Sequence, residues 1–257
     1  WSELLTVIDT LKANDIIPFA LANKTKWTSS MYYMYIVDRL GGPEVFASAA
    51  NRTGGTFNDP VFVEAGKLVQ DLVNLDAFNE GFNGLDYDTG QSRQLMYAGK
   101  AAMEVMGSWQ LSTMRAENPE FAENSLSFFP FPAIEGGKGD PTSVVGTVGD
   151  NFYSISSACA NPDVAFEFIQ YMMDDETNAA RIAGGKVPPV VGVAVSDARQ
   201  QEIVDMIAGA ASVQLWYDQY LPPELGEVHK DTMQALFGLE LTPEEAADRV
   251  VAAILSR

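Results

Sequence analysis

Gly99-Lys100-Ala101-Ala102-Met103, then three further residues, then Gly107-Ser108-Trp109 is the stretch on which the reading of this chain turns. Gly99 suits the position after a helix end, where the backbone turns left-handed and a Cβ would clash. Ala101 to Met106 is short and mostly apolar, the pattern of a strand covered on both faces. Gly107 breaks that strand, and Ser108 is placed to cap a helix running through Leu111 and Met114. Trp109 then stands at the carboxyl end of a strand beside a helix start, where α/β folds hold ligands. Two readings of Trp109 stay open at this level: a packing residue and a ligand platform.

Composition narrows the functions. The chain has 257 residues and 47% hydrophobic content, enough for a core of one large domain or two small ones. Its 16 Lys and Arg against 35 Asp and Glu give a net charge of −19. That field repels phosphate backbones and acidic membrane surfaces, so neither nucleic acid nor lipid is an expected partner. One cysteine, Cys159, excludes an intrachain disulfide and a Cys-rich zinc site. The single histidine, His229, lies in a helical pattern with Val228, Met233, Leu236 and Phe237 and reads as a surface or core residue. No apolar run reaches transmembrane length, and no metal or cofactor is expected.

Outward from the opening stretch, helix and strand signals alternate and then helices dominate. Ser2 is expected to cap a helix facing inward with Leu4, Ile8 and Leu11, and Ile16 to Ala20 reads as an extended segment. An aromatic-rich helix is expected from about Ser30 to Leu40, with Met31, Tyr32, Met34, Tyr35 and Ile36 in the core. Asn58-Asp59-Pro60 starts a helix buried through Phe62, Ala65, Leu68, Val69 and Leu72. Asp86 to Tyr97 is expected as the helix that feeds the opening stretch. Leu126 to Phe131, Ser143 to Val148 and Phe152 to Ser156 read as strands. Helices are expected to start at Asn161-Pro162, Asp175 and Ser196, and a last one at the capping box of Thr242 with Glu245.

In this order the landmarks resemble the extracellular solute-binding proteins of carbohydrate ABC importers, the maltose-binding-protein-like family 1 sugar-binding proteins. The resemblance rests on Trp1 to Phe19, on Gly99 to Trp109, and on Val145-Gly146 through Ile155-Ser156. It continues in Asn161-Pro162 with Ala165 to Ile169, Gly184 to Pro188, and Leu241 to Ala246. It implies an α/β fold: the C-terminal lobe of a class II periplasmic-binding-protein-like structure, with added helices that normally cover the N-terminal lobe. Residues 1–156 would form the first part of that lobe, 157–205 a helical crossover, and 206–257 the return. An N-terminal lobe would precede Trp1 in relatives. Its absence would leave an apolar helical face open to the rest of a longer protein or to self-association. The resemblance further implies a permease partner, and an extracellular or periplasmic location with lipoprotein tethering.

A carbohydrate needs flat rings for its C–H faces and planar polar groups for its hydroxyls. The implied binding residues are Trp109, Trp216, Tyr217, Asp218, Trp27, Asn151 and Asp150, with an oligosaccharide as ligand and no catalytic residue. Helix packing competes for Trp216 and Tyr217, a helix cap for Asp218, a surface anchor for Trp27, and plain turn formation for Asp150 and Asn151. The alternative function is a glycoside hydrolase or other carbohydrate-active enzyme, which needs two carboxylates at a set separation. No phosphate-binding loop is present: Gly136-Gly137-Lys138-Gly139 lacks the spacing.

Overall fold

The computed structural model describes residues 1–146, 153–186 and 195–256. In chain order the elements begin with α1 (Ser2–Lys12), β1 (Ile17–Phe19), α2 (Trp27–Gly41), α3 (Glu44–Ala50) and α4 (Pro60–Asn74). A short 3-10 turn precedes α5 (Gln91–Tyr97), β2 (Ala101–Met103), α6 (Trp109–Glu117), α7 (Pro119–Asn124) and β3 (Val144–Val145). The remainder is α8 (Pro162–Tyr171), α9 (Asp175–Ala183), α10 (Ala198–Ala208), β4 (Val213–Gln214), α11 (Tyr217–Tyr220), α12 (Pro223–Phe237) and α13 (Pro243–Leu255).

These elements divide into two units. The first comprises Trp1–Met106, Phe129–Gly146 and Ala210–Arg257; the second comprises Gly107–Phe128 and Thr147–Gly209. The helices expected over 157–205 fall in the second unit, which also takes residues 107–128.

The first unit holds the extensive core. β1 and β2 pair in parallel, Ile17 opposite Ala101 and Phe19 opposite Met103, and Phe19 also bridges to Phe78. Against this small sheet pack Tyr32 of α2 and Phe237 of α12, with Tyr32 edge-on to Phe19 at 5.5 Å and to Phe78 at 5.3 Å. α4 buries Phe62, Ala65, Val69 and Leu72 at the helical spacing read from the sequence. Each large apolar side chain buried this way contributes about 1.5–3 kcal/mol of transfer free energy. α13 reaches α4 closely at Gly66, where a Cβ would lie 2.9 Å from Pro243 Cβ. The Thr242–Glu245 capping box forms at its start as expected.

Several boundaries move for identifiable reasons. Ser2 is the first helical residue of α1 and not its cap, because its hydroxyl donates to Glu135 Oε1 at 2.7 Å. α2 begins at Trp27, ahead of Ser30, because the buried Asn23 does the capping: its Oδ1 accepts from the Ser29 amide at 3.2 Å. α5 starts only at Gln91, since Asp86 folds a turn onto the Asp88 amide and Gly90 adopts φ +77°. At its other end Gly99 has φ +65°; its amide bonds to Met96 O and the Lys100 amide to Leu95 O, the Schellman pattern. α10 takes Asp197 as cap in place of Ser196, because that carboxylate accepts from both Arg199 N and Gln200 N. Leu126 to Phe131 forms no strand, and of the described residues 143–146 only Val144–Val145 is paired, with Val213–Gln214. Residues 153–156 are not strand either; Thr147 to Phe152 lie outside the described residues.

Where the 126–131 stretch ends, at Phe131, the chain is held by Arg39. Its guanidinium, 1% exposed, collects the carbonyls of Phe131, Pro141 (3.1 Å) and Ser143 (2.9 Å) and pairs with Asp38. The returning segment 129–146 is thus held by a side chain at Phe131, Pro141 and Ser143, and by a ladder at Val144–Val145. It lies so close to α2 that a Cβ on Gly137 or Gly139 would collide with the Arg39 and Asp38 carbonyls.

His229 is core. It is 1% exposed and shares a 2.6 Å hydrogen bond between Nε2 and Ser30 Oγ. Burial, with Lys230 nearby, pushes its pKa from 6.5 down to about 3, so it is neutral in the folded chain at pH 7. The unfolded chain binds that proton at higher pH, so the neutral ring's contribution is complete above about pH 6.5 and is lost as pH falls toward 3. His229→Gln should therefore flatten the stability–pH curve by about 1.4 kcal/mol per pH unit between these limits. Urea titrations of both proteins at pH 4 and pH 6 check it; parallel slopes would show a histidine that titrates normally in the native state.

The second unit buries much less. Leu111, Met114, Ala122 and Ile203 are its buried apolar side chains among the described residues. α8 buries nothing and exposes Val164, Phe166, Phe168 and Tyr171. Phe168 joins Tyr153, Ile155, Ala165, Ile169 and Met172 around an open hollow of about 490 Å³.

Candidate functional site

In the first unit, side chains gather beyond the carboxyl end of β1. The loop from Asn23 to Lys26 passes into α2 with Lys26 at φ +67°, and Trp27 follows as the first helical residue. Asn23 fixes this turn from both sides, donating to Asn83 Oδ1 at 2.6 Å while holding the helix start. Trp27 is half-buried and meets Tyr87 edge-on at 4.8 Å. Arg93 lies over the other partner of that pair, 4.9 Å from the Tyr87 ring centre, and Lys24 pairs with Asp86 at 3.3 Å. The lysine donates to Asp86 and, with nearby amides, holds its carboxyl below the usual range. Tyr87, Arg93 and Lys24 carry no sequence signal as site residues, and Asp86 reads only as a helix start. The turn Asp86-Tyr87-Asp88-Thr89-Gly90 was the available signal, read there as the start of a helix.

Trp216 and Tyr217 open α11 and face inward. Trp216 is 8% exposed, and a Cβ on Gly146 would lie 3.2 Å from its Cζ2. Tyr217 is fully buried, stacked on Phe46 at 3.6 Å and 5.4 Å from the His229 ring. Burial pushes its hydroxyl pKa well up, so it stays a neutral phenol. Asp218 is half-buried; burial raises its carboxyl pKa while the Lys230 charge pulls it back. These contacts put the rings of Trp216 and Tyr217 among the core side chains of this unit.

In the second unit, Trp109 is 37% exposed and lies at the first position of α6, with Ser108 as cap residue. Its six-membered ring covers Gly107 so closely that any Cβ there would collide with it. Glycine at 107 is therefore what allows the indole to fold back over the chain. Asp150 and Asn151 lie outside the described residues. Among the described residues, no group of three His, Cys, Asp or Glu stands close enough to hold a metal ion. No described helix is long and apolar enough to cross a membrane.

The family model for bacterial extracellular solute-binding proteins matches residues 1–179. The chain is 28% identical over 178 residues to a multiple sugar-binding protein of Streptococcus mutans, covering 67% of this chain and 40% of that protein. A structure solved in work on xylan utilization by Caldanaerobius polysaccharolyticus is similar at 28% identity and TM-score 0.86, over 98% of this chain and 65% of that one. A chitin oligosaccharide binding protein shares the fold at TM-score 0.88 and 24% identity, over 100% of this chain and 64% of that one. The chain thus spans 40% of the Streptococcus protein and just under two thirds of the two structures.

Proposed function

Given that the chain belongs to the family of bacterial extracellular solute-binding proteins, we propose that it binds a carbohydrate, an oligosaccharide by preference, for delivery to an ABC importer permease. The observation that carries this reading is its similarity, over two thirds of its length, to a protein named for binding multiple sugars. The action is non-catalytic: two lobes close around the ligand, and closure presents a docking surface to the permease. The ligand shifts that balance only by binding the closed form more tightly than the open one.

Trp109 is the proposed platform of the second unit, more than a third exposed and lying over its own glycine. Trp27, the half-buried Asp218, Trp216 and Tyr217 are the proposed residues of the first unit, the last two with their rings in its core. Asp150 and Asn151 remain part of the proposed site. A carbohydrate offers these groups apolar faces for the rings and hydroxyls for the acids and amides. The location is extracellular or periplasmic, with lipoprotein tethering as the finer proposal. The exposed α8 face would be covered by the first lobe of a longer protein, and by self-association where that lobe is absent.

The test is incubation with a panel of xylo-, chito- and gluco-oligosaccharides, recording both thermal unfolding and any cleavage product. Binding to the native state alone gives about 2.7 kcal/mol of stabilisation at a hundred times Kd. Cleavage would favour the hydrolase reading, and a flat response of the full-length protein across the panel would reject carbohydrate binding.

A further inference from the structure

Two guanidinium and two carboxylate groups of the second unit are linked in one network. Arg115 on α6 donates from Nε to Glu123 Oε1 at 2.9 Å and from Nη2 to Asp197 Oδ2 at 2.6 Å. Arg199 on α10 reaches the other oxygen of Glu123 and the carbonyl of Ala122. The second oxygen of Asp197 is used at the start of α10, accepting from Arg199 N at 3.1 Å and Gln200 N at 2.9 Å. Positive and negative groups therefore alternate between residues 107–128 and the start of α10. Glu123 is shared by both arginines, and Asp197 is held in place by the helix it caps.

Among the described residues, apolar burial between these parts is thin. Leu111, Met114 and Ala122 are buried on the one side, but α10 contributes only Ile203, α9 buries only Asn178, and α8 buries nothing. The approach is close at Gly185, where φ is +91° and a Cβ would lie 3.2 Å from Arg115 Nη1 and 3.3 Å from Ser112 Cα. Side-chain exposure is 17% for Arg115, 19% for Arg199, 29% for Asp197 and 51% for Glu123, so dissolved salt can reach the network and compete with it. An attachment with little apolar burial and solvent-reachable ion pairs belongs to the low-stability end of a structure, where local opening occurs ahead of global unfolding.

We propose that Arg115, Glu123, Asp197 and Arg199 form an ionic latch that holds the Trp109-bearing segment, residues 107–128, on α10. Release of this latch frees the segment as a piece while the first unit stays folded. On the reading of Trp109 as a sugar platform, latch release is the step that moves the platform and admits or discharges the ligand. The latch itself does not depend on that reading, and it is tested without ligand.

Hydrogen exchange of the whole chain in 0.1 M and 1 M NaCl is the experiment. Peptides from α6 and α7 should exchange about tenfold faster at high salt, while those from α2 and α12 keep their rates. Glu123→Gln keeps the side chain's shape and removes the charge shared by both arginines. It removes one of the two ion pairs that tie the segment to α10, leaving Arg115–Asp197, so it should reproduce much of the fast exchange already at 0.1 M and shrink the response to salt. Equal acceleration of α8 to α10 would show one cooperative unit with no latch, and an unchanged salt response in Glu123→Gln would overturn the proposal. In a second arm, xylotriose and chitotriose dissociation from the full-length protein should quicken in Glu123→Gln. If neither sugar binds, the platform reading fails while the exchange result still decides the latch.

Discussion

Replacing Arg39 by Met should cost about 3–5 kcal/mol of stability, among the largest effects available to a single change in the first unit. Arg39 and Asp38 are 1% and 3% exposed, so no solvent screens the loss. Asp38 would be left as an uncompensated carboxylate whose Oδ1 already has no hydrogen-bond partner among the described residues. Burial already raises its pKa, although the arginine charge and hydrogen bond pull it down. The carbonyls of Phe131, Pro141 and Ser143 would lose their donor together, and with them the attachment of residues 129–146. Arg39→Lys should fail nearly as badly, because one ammonium cannot fan out to three carbonyls and a carboxylate. The double change Asp38→Asn with Arg39→Met should recover part of the loss by removing the stranded charge. Urea unfolding followed by tryptophan fluorescence measures this; a loss under about 1 kcal/mol for Arg39→Met would show that water replaces the guanidinium at little cost.

The same residue shows where a sequence stops being legible. Periodicity announced α4 and its buried face, and local chemistry announced the Gly99 helix end and the Thr242 capping box, because each depends on neighbours a few positions away. The expected strand at 126–131 has the right apolar residues, but its last carbonyl, of Phe131, is taken by a side chain some ninety positions earlier in the chain, at Arg39. No local pattern encodes that. The start of α2 is a shorter-range case of the same kind: Asn23 supplies the cap, so the helix begins before the serines that look like its opening. For the candidate site, Trp109 and its glycine were readable as a pair. The Trp27–Tyr87–Arg93 group was not, since it joins residues some sixty positions apart. Burial of Tyr217 was equally hidden, because an aromatic beside an acid and an amide looks alike whether the ring meets a sugar or Phe46.

Trp109→Ala should weaken oligosaccharide binding by about 2–4 kcal/mol, roughly 30- to 1,000-fold in Kd, as expected for a central aromatic anchor. It should change stability by under about 1 kcal/mol, because more than a third of the residue already faces water. Trp216→Ala is the contrast: at 8% exposure, in the core, its loss should cost about 3–5 kcal/mol whatever the ligand. Calorimetry on the full-length protein, paired with thermal unfolding, separates the two behaviours. If Trp109→Ala unfolds the protein, the indole is a packing residue; if Kd is unchanged, the platform lies elsewhere. Gly107→Ala sharpens the distinction, since it keeps the indole but drives a methyl group into its ring. A platform depends on where its plane lies, so a ring displaced from Gly107 should lose much of the affinity while retaining all of its apolar area. A ring that served only as greasy surface would bind the sugar as before.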